Sequence, residues 1–286
     1  MKMGFLKNNF LILAFISLLP SSLFSQVYSQ SDSTYYEDST FTKSYIGEYI
    51  TYFSNGKIKN IHHFQNGKAH GEFLSYYETG ELNSKSNYIN GVEQGECTLY
   101  FENGLTLYHI TLKNGELQGP YALYYSNGVV YQSGHYLNGE NDGEWFEYYE
   151  TGVVNYKVTY THGKQNGPSY SYYPNGKLKS RCLFQNGLLD GELAAFYENG
   201  KPLKKTNYIN GIQFGEEISY FQNGKIAKKK NYIDNKIEGV EMSYYENGTL
   251  RSKRNFENGK LNGKSIYYFE NGKLNCKEMY SNGIEK

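Results

Sequence analysis

The side chains able to do chemistry in this chain are few, and their spacing limits what they can do. Cysteines stand at Cys97, Cys182 and Cys276. None has a second cysteine or a histidine at metal-ligand spacing, so they form no zinc or redox motif. Among the histidines, His62, His63 and His70 are near enough in sequence to meet around one hairpin, whereas His109, His135 and His162 are scattered. No cysteine or carboxylate completes a ligand set there, and exposed strand and turn residues are expected instead. Glutamates offer paired-carboxylate chemistry, which needs a unique environment that separates two pKa values. Here they recur in regular rows, Glu48, Glu72, Glu96, Glu144, Glu192, Glu216 and Glu78, Glu102, Glu150, Glu198, Glu246, Glu270. Such regularity predicts a solvated stripe. No nucleophile motif, phosphate loop or dinucleotide fingerprint is present, because the glycines mark turns. The expectation is a non-enzymatic protein with no catalytic residue, metal or cofactor.

The elements that would position any site are set by a 24-residue period. Asn-Gly or Thr-Gly returns at Asn55, Thr79, Asn103, Asn127, Thr151, Asn175, Asn199, Asn223, Asn247 and Asn271, ten times without insertion or deletion. Such a period marks a repeat array in which each unit packs on its neighbours. Each unit is counted here from position zero at Gly47, Gly71, Gly95, Gly119, Gly143, Gly167, Gly191, Gly215, Gly239 and Gly263. Position five is Tyr or Phe, position six is Tyr or Phe, position eleven is mostly aliphatic and position seventeen is aromatic except at Leu112. A second Asn-Gly turn usually follows, as at Asn66-Gly67 and Asn90-Gly91. Alternation, aromatic and β-branched residues and frequent glycine predict a β-hairpin per unit and exclude helices. The fold class is all-β: an elongated single-layer antiparallel array of ten hairpin repeats.

A two-residue Asn-Gly loop favours a type I′ turn. With that turn, paired positions sum to seventeen, so position six faces position eleven, and positions six, eleven and seventeen share a dry face. The opposite face then carries the position-five row and a basic row at position fourteen. Candidate binding residues on it are Tyr76, Tyr100, Tyr124, Tyr148, Tyr172, Tyr220 and Tyr244 with Lys157, Arg181, Lys205, Lys229 and Lys253. Trp145, the one tryptophan, joins them, in units four and five where Tyr121, Tyr131, Phe146 and Tyr156 make the chain most aromatic. Glu198 and Lys201, and Glu270 and Lys273, are expected to pair across the turn. Two strands per unit advance roughly 10 Å, giving a rod on the order of 100 Å. The cysteines, more than three units apart, are then too distant for disulfides and are expected as free thiols.

The ends differ from the array. Lys2 and Lys7 precede the apolar run from Phe10 to Leu19, followed by Pro20 and small residues. This reads as a signal peptide over residues 1–25, cleaved after Ser25. Residues 26–44 read as a polar lead-in and 45–286 as the repeat domain. No later stretch is long and apolar enough to be an integral membrane segment. Removing Lys2 and Lys7 leaves 27 basic against 29 acidic residues, which argues against nucleic acid as a partner. The mature protein is expected to be exported, to the periplasm, cell surface or medium.

The unit Gly-Glu-x-x-x-Tyr-Tyr-x-Asn-Gly-Lys-Leu, clearest at Gly239–Phe256 and Gly263–Tyr280, resembles the MORN-repeat variant of bacterial YwqK-type antitoxins. The resemblance covers residues 45–286 and implies a scaffold or binding surface, and for the antitoxins direct neutralisation of a protein toxin. An unknown protein partner, held on the Tyr and Lys/Arg face or at an edge strand, is the leading expectation. The alternatives are an antitoxin-like or immunity role, and a cell-wall or glycan-binding module.

Overall fold

The computed structural model describes residues 44–286 and, before them, only the short backbone pairing of Tyr28–Ser29 with Tyr35–Tyr36. The expected signal peptide and nearly all of the lead-in lie outside the described residues. From Gly47 onward the chain is one antiparallel sheet, with no helix among the described residues. One unit shows the plan. Gly71–Tyr76 turns into Leu82–Ile89, the short strand Val92–Glu93 turns back, and Gly95–Tyr100 opens the next unit. Strands adjacent in sequence are adjacent in the sheet. No ladder among the described residues joins Gly47–Tyr52 to Leu274–Ser281, so the sheet is open.

The two Asn-Gly turns are built differently. At the second turn Asn66 (φ 51°) and Gly67 (φ 72°) are both left-handed and Gln65 pairs with Lys68, which is the type I′ geometry. At the first turn only the glycine is left-handed, as at Gly56 (φ 83°). Gly56 N–H donates to the Phe53 carbonyl (3.0 Å) and Phe53 N–H to the Lys57 carbonyl (2.8 Å). That is a type I turn closed by a glycine bulge, not the type I′ turn expected there. Asparagine serves a different purpose at this turn. Asn55 Oδ1 accepts from Lys57 N–H (3.0 Å), while Nδ2 donates to the Glu78 carbonyl (3.1 Å) of the following unit. Asn103, Asn223 and Asn247 repeat both bonds.

The altered turn changes the register. Positions zero to four do pair to a sum of seventeen, as in Gly71 with Tyr88 and Ser75 with Ser84, but Tyr76 pairs with Leu82, leaving Asn83 as a bulge. An extra residue reverses the inward–outward alternation beyond it. Position eleven therefore joins the outer face, and positions thirteen, fifteen and seventeen point inward. The expected dry face of positions six, eleven and seventeen is corrected: only seventeen belongs to it. Position-six tyrosines instead bind along the array. The hydroxyls of Tyr77, Tyr125, Tyr149, Tyr173, Tyr197 and Tyr245 donate to the position-five carbonyl of the next unit at 2.6–2.9 Å.

A second shift falls between units. Phe64 pairs with Ala69 but Ile61 with Leu74, so the ladder slips by two residues around left-handed Gly71 (φ 96°). Inside the fold, positions two and fifteen alternate on successive strands to form a single file of side chains. It runs Phe73, Ser86, Cys97, Ile110, Tyr121, Gly134, Trp145, Val158, Ser169. Leu112, Leu117, Tyr136 and Tyr160 pack against this file. Each large member buried this way contributes about 1.5–3 kcal/mol. Adjacent members touch, so their sizes must suit one another. Trp145 (5 % exposed) lies over Gly134, and a Cβ on Gly134 would be only 2.2–2.7 Å from three indole carbons.

Gly134→Ala is therefore expected to destabilise the protein by roughly 1–3 kcal/mol through overpacking. Combining it with Trp145→Leu should recover part of the loss. Urea unfolding followed by far-ultraviolet circular dichroism checks this; equal and additive losses would refute direct steric coupling.

Candidate binding faces

The outer face carries the rows expected of it, apart from Trp145. Tyr76, Tyr100, Tyr124, Tyr148, Tyr172, Tyr220 and Tyr244 are half-buried in one row at the ends of their strands. Lys157, Arg181, Lys205, Lys229 and Lys253 form the basic row, each on the strand paired to position three, as Lys157 is to Phe146. Position-one glutamates partly neutralise this row. Lys157 meets Glu144 at 2.6 Å, Arg181 meets Glu192 of the next unit at 2.9 Å, and Lys229 meets Glu216 at 3.9 Å. These pairs are exposed and individually contribute little. Lys201 does not reach across its turn to Glu198 as expected; its ammonium donates forward to the Asn223 carbonyl (3.0 Å).

The aromatic units divide between the faces. Tyr121, Trp145 and Tyr156 are interior, whereas Tyr131 and Phe146 are on the outside. Trp145 packs on Tyr136 (5.0 Å) and Tyr121 (5.4 Å), so it presents no surface to a ligand. Phe146 stacks on Tyr148 (6.1 Å) and lies under the Lys157 ammonium (5.2 Å). Around them is a shallow cleft of about 380 Å³ lined by Phe146, Val153, Val154, Lys157, Tyr172 and Gly176. It suits one apolar side chain with an acidic neighbour, since aromatic and aliphatic walls supply area and the ammonium supplies charge.

The histidines do not gather. His62 points inward and stacks on Phe73 (4.3 Å), and burial, then neighbouring His63, pushes its pKa down to about 4. His63 points outward to Glu48 (3.4 Å). Neighbours on a strand must diverge in this way. The buried Cys97 thiol is pushed up to about 12, chiefly by burial and then by Glu93, and a thiol so shifted is a poor nucleophile at neutral pH.

Beyond Ser169 the interior file runs through Cys182 and Leu193 and then becomes polar and charged: Thr206, Glu217, Lys230, Glu241, Arg254, Ser265. Glu217 contacts Lys204 (2.7 Å), Lys230 (3.0 Å) and Gln213 (2.8 Å). Glu241, 2 % exposed, pairs with Arg254 and lies 3.8 Å from Lys228. Burial by itself would raise the Glu217 pKa, but hydrogen bonds and charge from Lys204 and Lys230 outweigh it and hold the carboxyl below its usual range. The sequence reading missed this cluster. A signal existed in the like-charge runs Lys204-Lys205, Glu216-Glu217 and Lys228-Lys229-Lys230: alternate residues of a strand cannot all face water.

These geometries belong to a known class. A family model described as "MORN repeat variant" matches residues 45–66, 69–90, 117–138, 141–162, 165–186, 189–210, 215–234, 237–258 and 261–282. The chain belongs to the MORN repeat variant family, whose repeats are binding repeats. No curated protein sequence matches it. Among solved structures, that of TcdB2-TccC3 is 14% identical over 81% of this chain and 15% of that one, with a TM-score of 0.16. A TcdB2-TccC3-TEV structure is 10% identical over 86% and 15%, with a TM-score of 0.18. A porin-like protein from Bacteroides uniformis ATCC 8492 is 8% identical over 84% and 91%, with a TM-score of 0.14. The chain thus spans only 15% of the TcdB2-TccC3 chains, and scores this low carry no argument about this protein.

Glu217→Gln leaves Lys204 and Lys230 without their counter-charge and should cost roughly 1–3 kcal/mol, the exposed part of both lysines limiting the loss. The Glu217 contribution is fully present above the unfolded carboxyl value of 4.5. It diminishes below that pH, as the unfolded chain takes up the proton first, and is lost as pH falls through the lower folded value. Unfolding curves of both proteins from pH 7 to pH 3 should therefore converge at the acid end; a constant gap would show that the carboxylate charge is not responsible.

Proposed function

We propose that this protein is an exported, non-enzymatic scaffold that binds a protein partner along its outer face. The Phe146–Tyr172 cleft is the observation that carries the reading: it joins an aromatic floor, aliphatic walls and an ammonium in the middle of a regular surface. Repeat architecture favours the same conclusion, because extended repeat surfaces bind by many similar contacts spread over several units. Burial of Trp145 removes the residue best suited to stack on a sugar ring, which weakens the glycan reading. Toxin neutralisation is one form that partner binding would take. Export rests on the leader-like residues 1–25.

Purified protein incubated with envelope and secreted extracts of its source should retain one stoichiometric protein, identified by mass spectrometry. A Phe146→Ser, Lys157→Glu double variant with an unchanged circular dichroism spectrum should lose it at least tenfold. Retention of glycan alone, or of nothing, would refute the proposal; a retained toxin would support the neutralising form. Separately, amino-terminal sequencing of the protein recovered from envelope or medium should begin at Gln26. Recovery from the cytosol with Met1 in place would refute export.

A further inference from the structure

On the outer face of the last four units, basic and apolar side chains alternate in single file across the strands. Successive ladders join Lys205 to Ile218, Ile218 to Lys229, Lys229 to Met242, Met242 to Lys253 and Lys253 to Ile266. Each member is one residue away in sequence from Thr206, Glu217, Lys230, Glu241, Arg254 or Ser265 of the interior file, so it faces the opposite side of the sheet. Lys253 is exposed and the other five are half-buried. Position-five tyrosines border the file on one side, where the Tyr244 hydroxyl donates to the Met242 sulfur (3.4 Å).

This stretch of the basic row loses its counter-charge. Glu192 is taken by Arg181 (2.9 Å), and Glu216 approaches Lys229 only at 3.9 Å. Position one then becomes Val240, 39 % exposed, and after it Lys264. Among the described residues Lys205 and Lys253 have no carboxylate within ion-pair distance. Residues 165–286 together carry 19 basic against 13 acidic residues, so the longer-range field also selects an acidic partner.

Spacing selects the conformation of that partner. Lysines in the file are two strands apart, roughly 9.6 Å, with an apolar side chain midway. In an α-helix seven residues rise about 10.5 Å and return to the same face. The residue three or four places on lies on that face about 5 Å along, level with the apolar member. An extended strand covers about 10 Å in three residues, but the side chain there points to the other face. A polyproline helix returns to one face every three residues, about 9.3 Å, and puts nothing on that face midway.

We propose that the file from Lys205 to Ile266 seats an acidic amphipathic α-helix of a partner protein, lying along the rod. The helix carries Asp or Glu at every seventh position and an apolar residue three or four places after each. Its carboxylates pair with Lys205, Lys229 and Lys253, and its apolar residues cover Ile218, Met242 and Ile266. The proposal rests on the reading that the outer face binds protein, and gives the partner a conformation and a charge pattern. Three lysines span roughly 19 Å, or about thirteen residues of helix, a length that is marginal in water without a partner.

The probe is a fluorescein-labelled 21-residue peptide with three glutamates seven residues apart and a leucine four places after each. Its control has the same composition in permuted order. Fluorescence anisotropy should show the patterned peptide binding at least tenfold tighter than the control. Circular dichroism at 222 nm should show helix gained on mixing, against a protein with no helix among its described residues. A K205E, K253E double variant with an unchanged spectrum of its own should bind at least tenfold more weakly. A peptide with lysine in place of its first and third glutamates should restore binding to that variant. Equal binding of the two peptides overturns the proposal. So does binding without gain of helix, or indifference to the double charge reversal. Any of these with the extract partner still captured strikes the helical seat alone; loss of that capture with the patterned peptide still bound strikes the Phe146–Tyr172 cleft alone.

Discussion

Everything in this molecule depends on one file of touching side chains, a member from each long strand, running along the inside of a single sheet. A sheet without a second layer has no large core, so each interior residue is covered only by its neighbours in the file and by the aromatic row folded over them. Close packing then makes adjacent members choose each other. Trp145 fits because Gly134 is beside it; Glu217 and Glu241 are tolerated because Lys230 and Arg254 alternate with them. The same constraint lets composition drift along the rod. Apolar neighbours satisfy one another in the first half, charged neighbours in the second, and neither half has to match the other across space.

Between units, the bonds are made by side chains that point forward. Position-six tyrosine hydroxyls, first-turn asparagine amides and position-ten lysines all donate to carbonyls of the following repeat. Phe101 and Phe221 lack the hydroxyl and Thr79 and Thr151 lack the amide, yet their units keep the same ladders. With a typical net worth of about 1 kcal/mol per hydrogen bond, no single staple is essential. Stability is distributed as nearest-neighbour terms, the behaviour of a linear array.

The outer face follows from the inner one. Once the interior file is set, positions one, three, five and fourteen must face out, and their repetition yields long rows rather than a pocket. Function is then read from departures from the rule. Phe146 at position three turns a shallow groove into a cleft. This is a local substitution on a constant frame, so binding can change without any change of fold.

The sequence alone determined the period, the hairpin in each unit and the absence of helix among the described residues. Those features are local: turn glycines, alternation and aromatic pairs act within a few residues. It also placed the Tyr and Lys rows together on one face. It did not determine on which face position eleven lies. That depended on one bulged residue after the first turn, where Asn-Gly is compatible with both a type I′ turn and a type I turn with a bulge. The two differ by a single residue of register, which turns position eleven from the dry face to the outer one. Tertiary structure made the choice: in the bulged form position eleven faces out beside position five and the asparagine amide reaches the next repeat. Tertiary structure also put Trp145, a candidate ligand contact, in the core beside Val158. It also revealed the buried glutamates, whose partners come from neighbouring strands and leave no mark in the period.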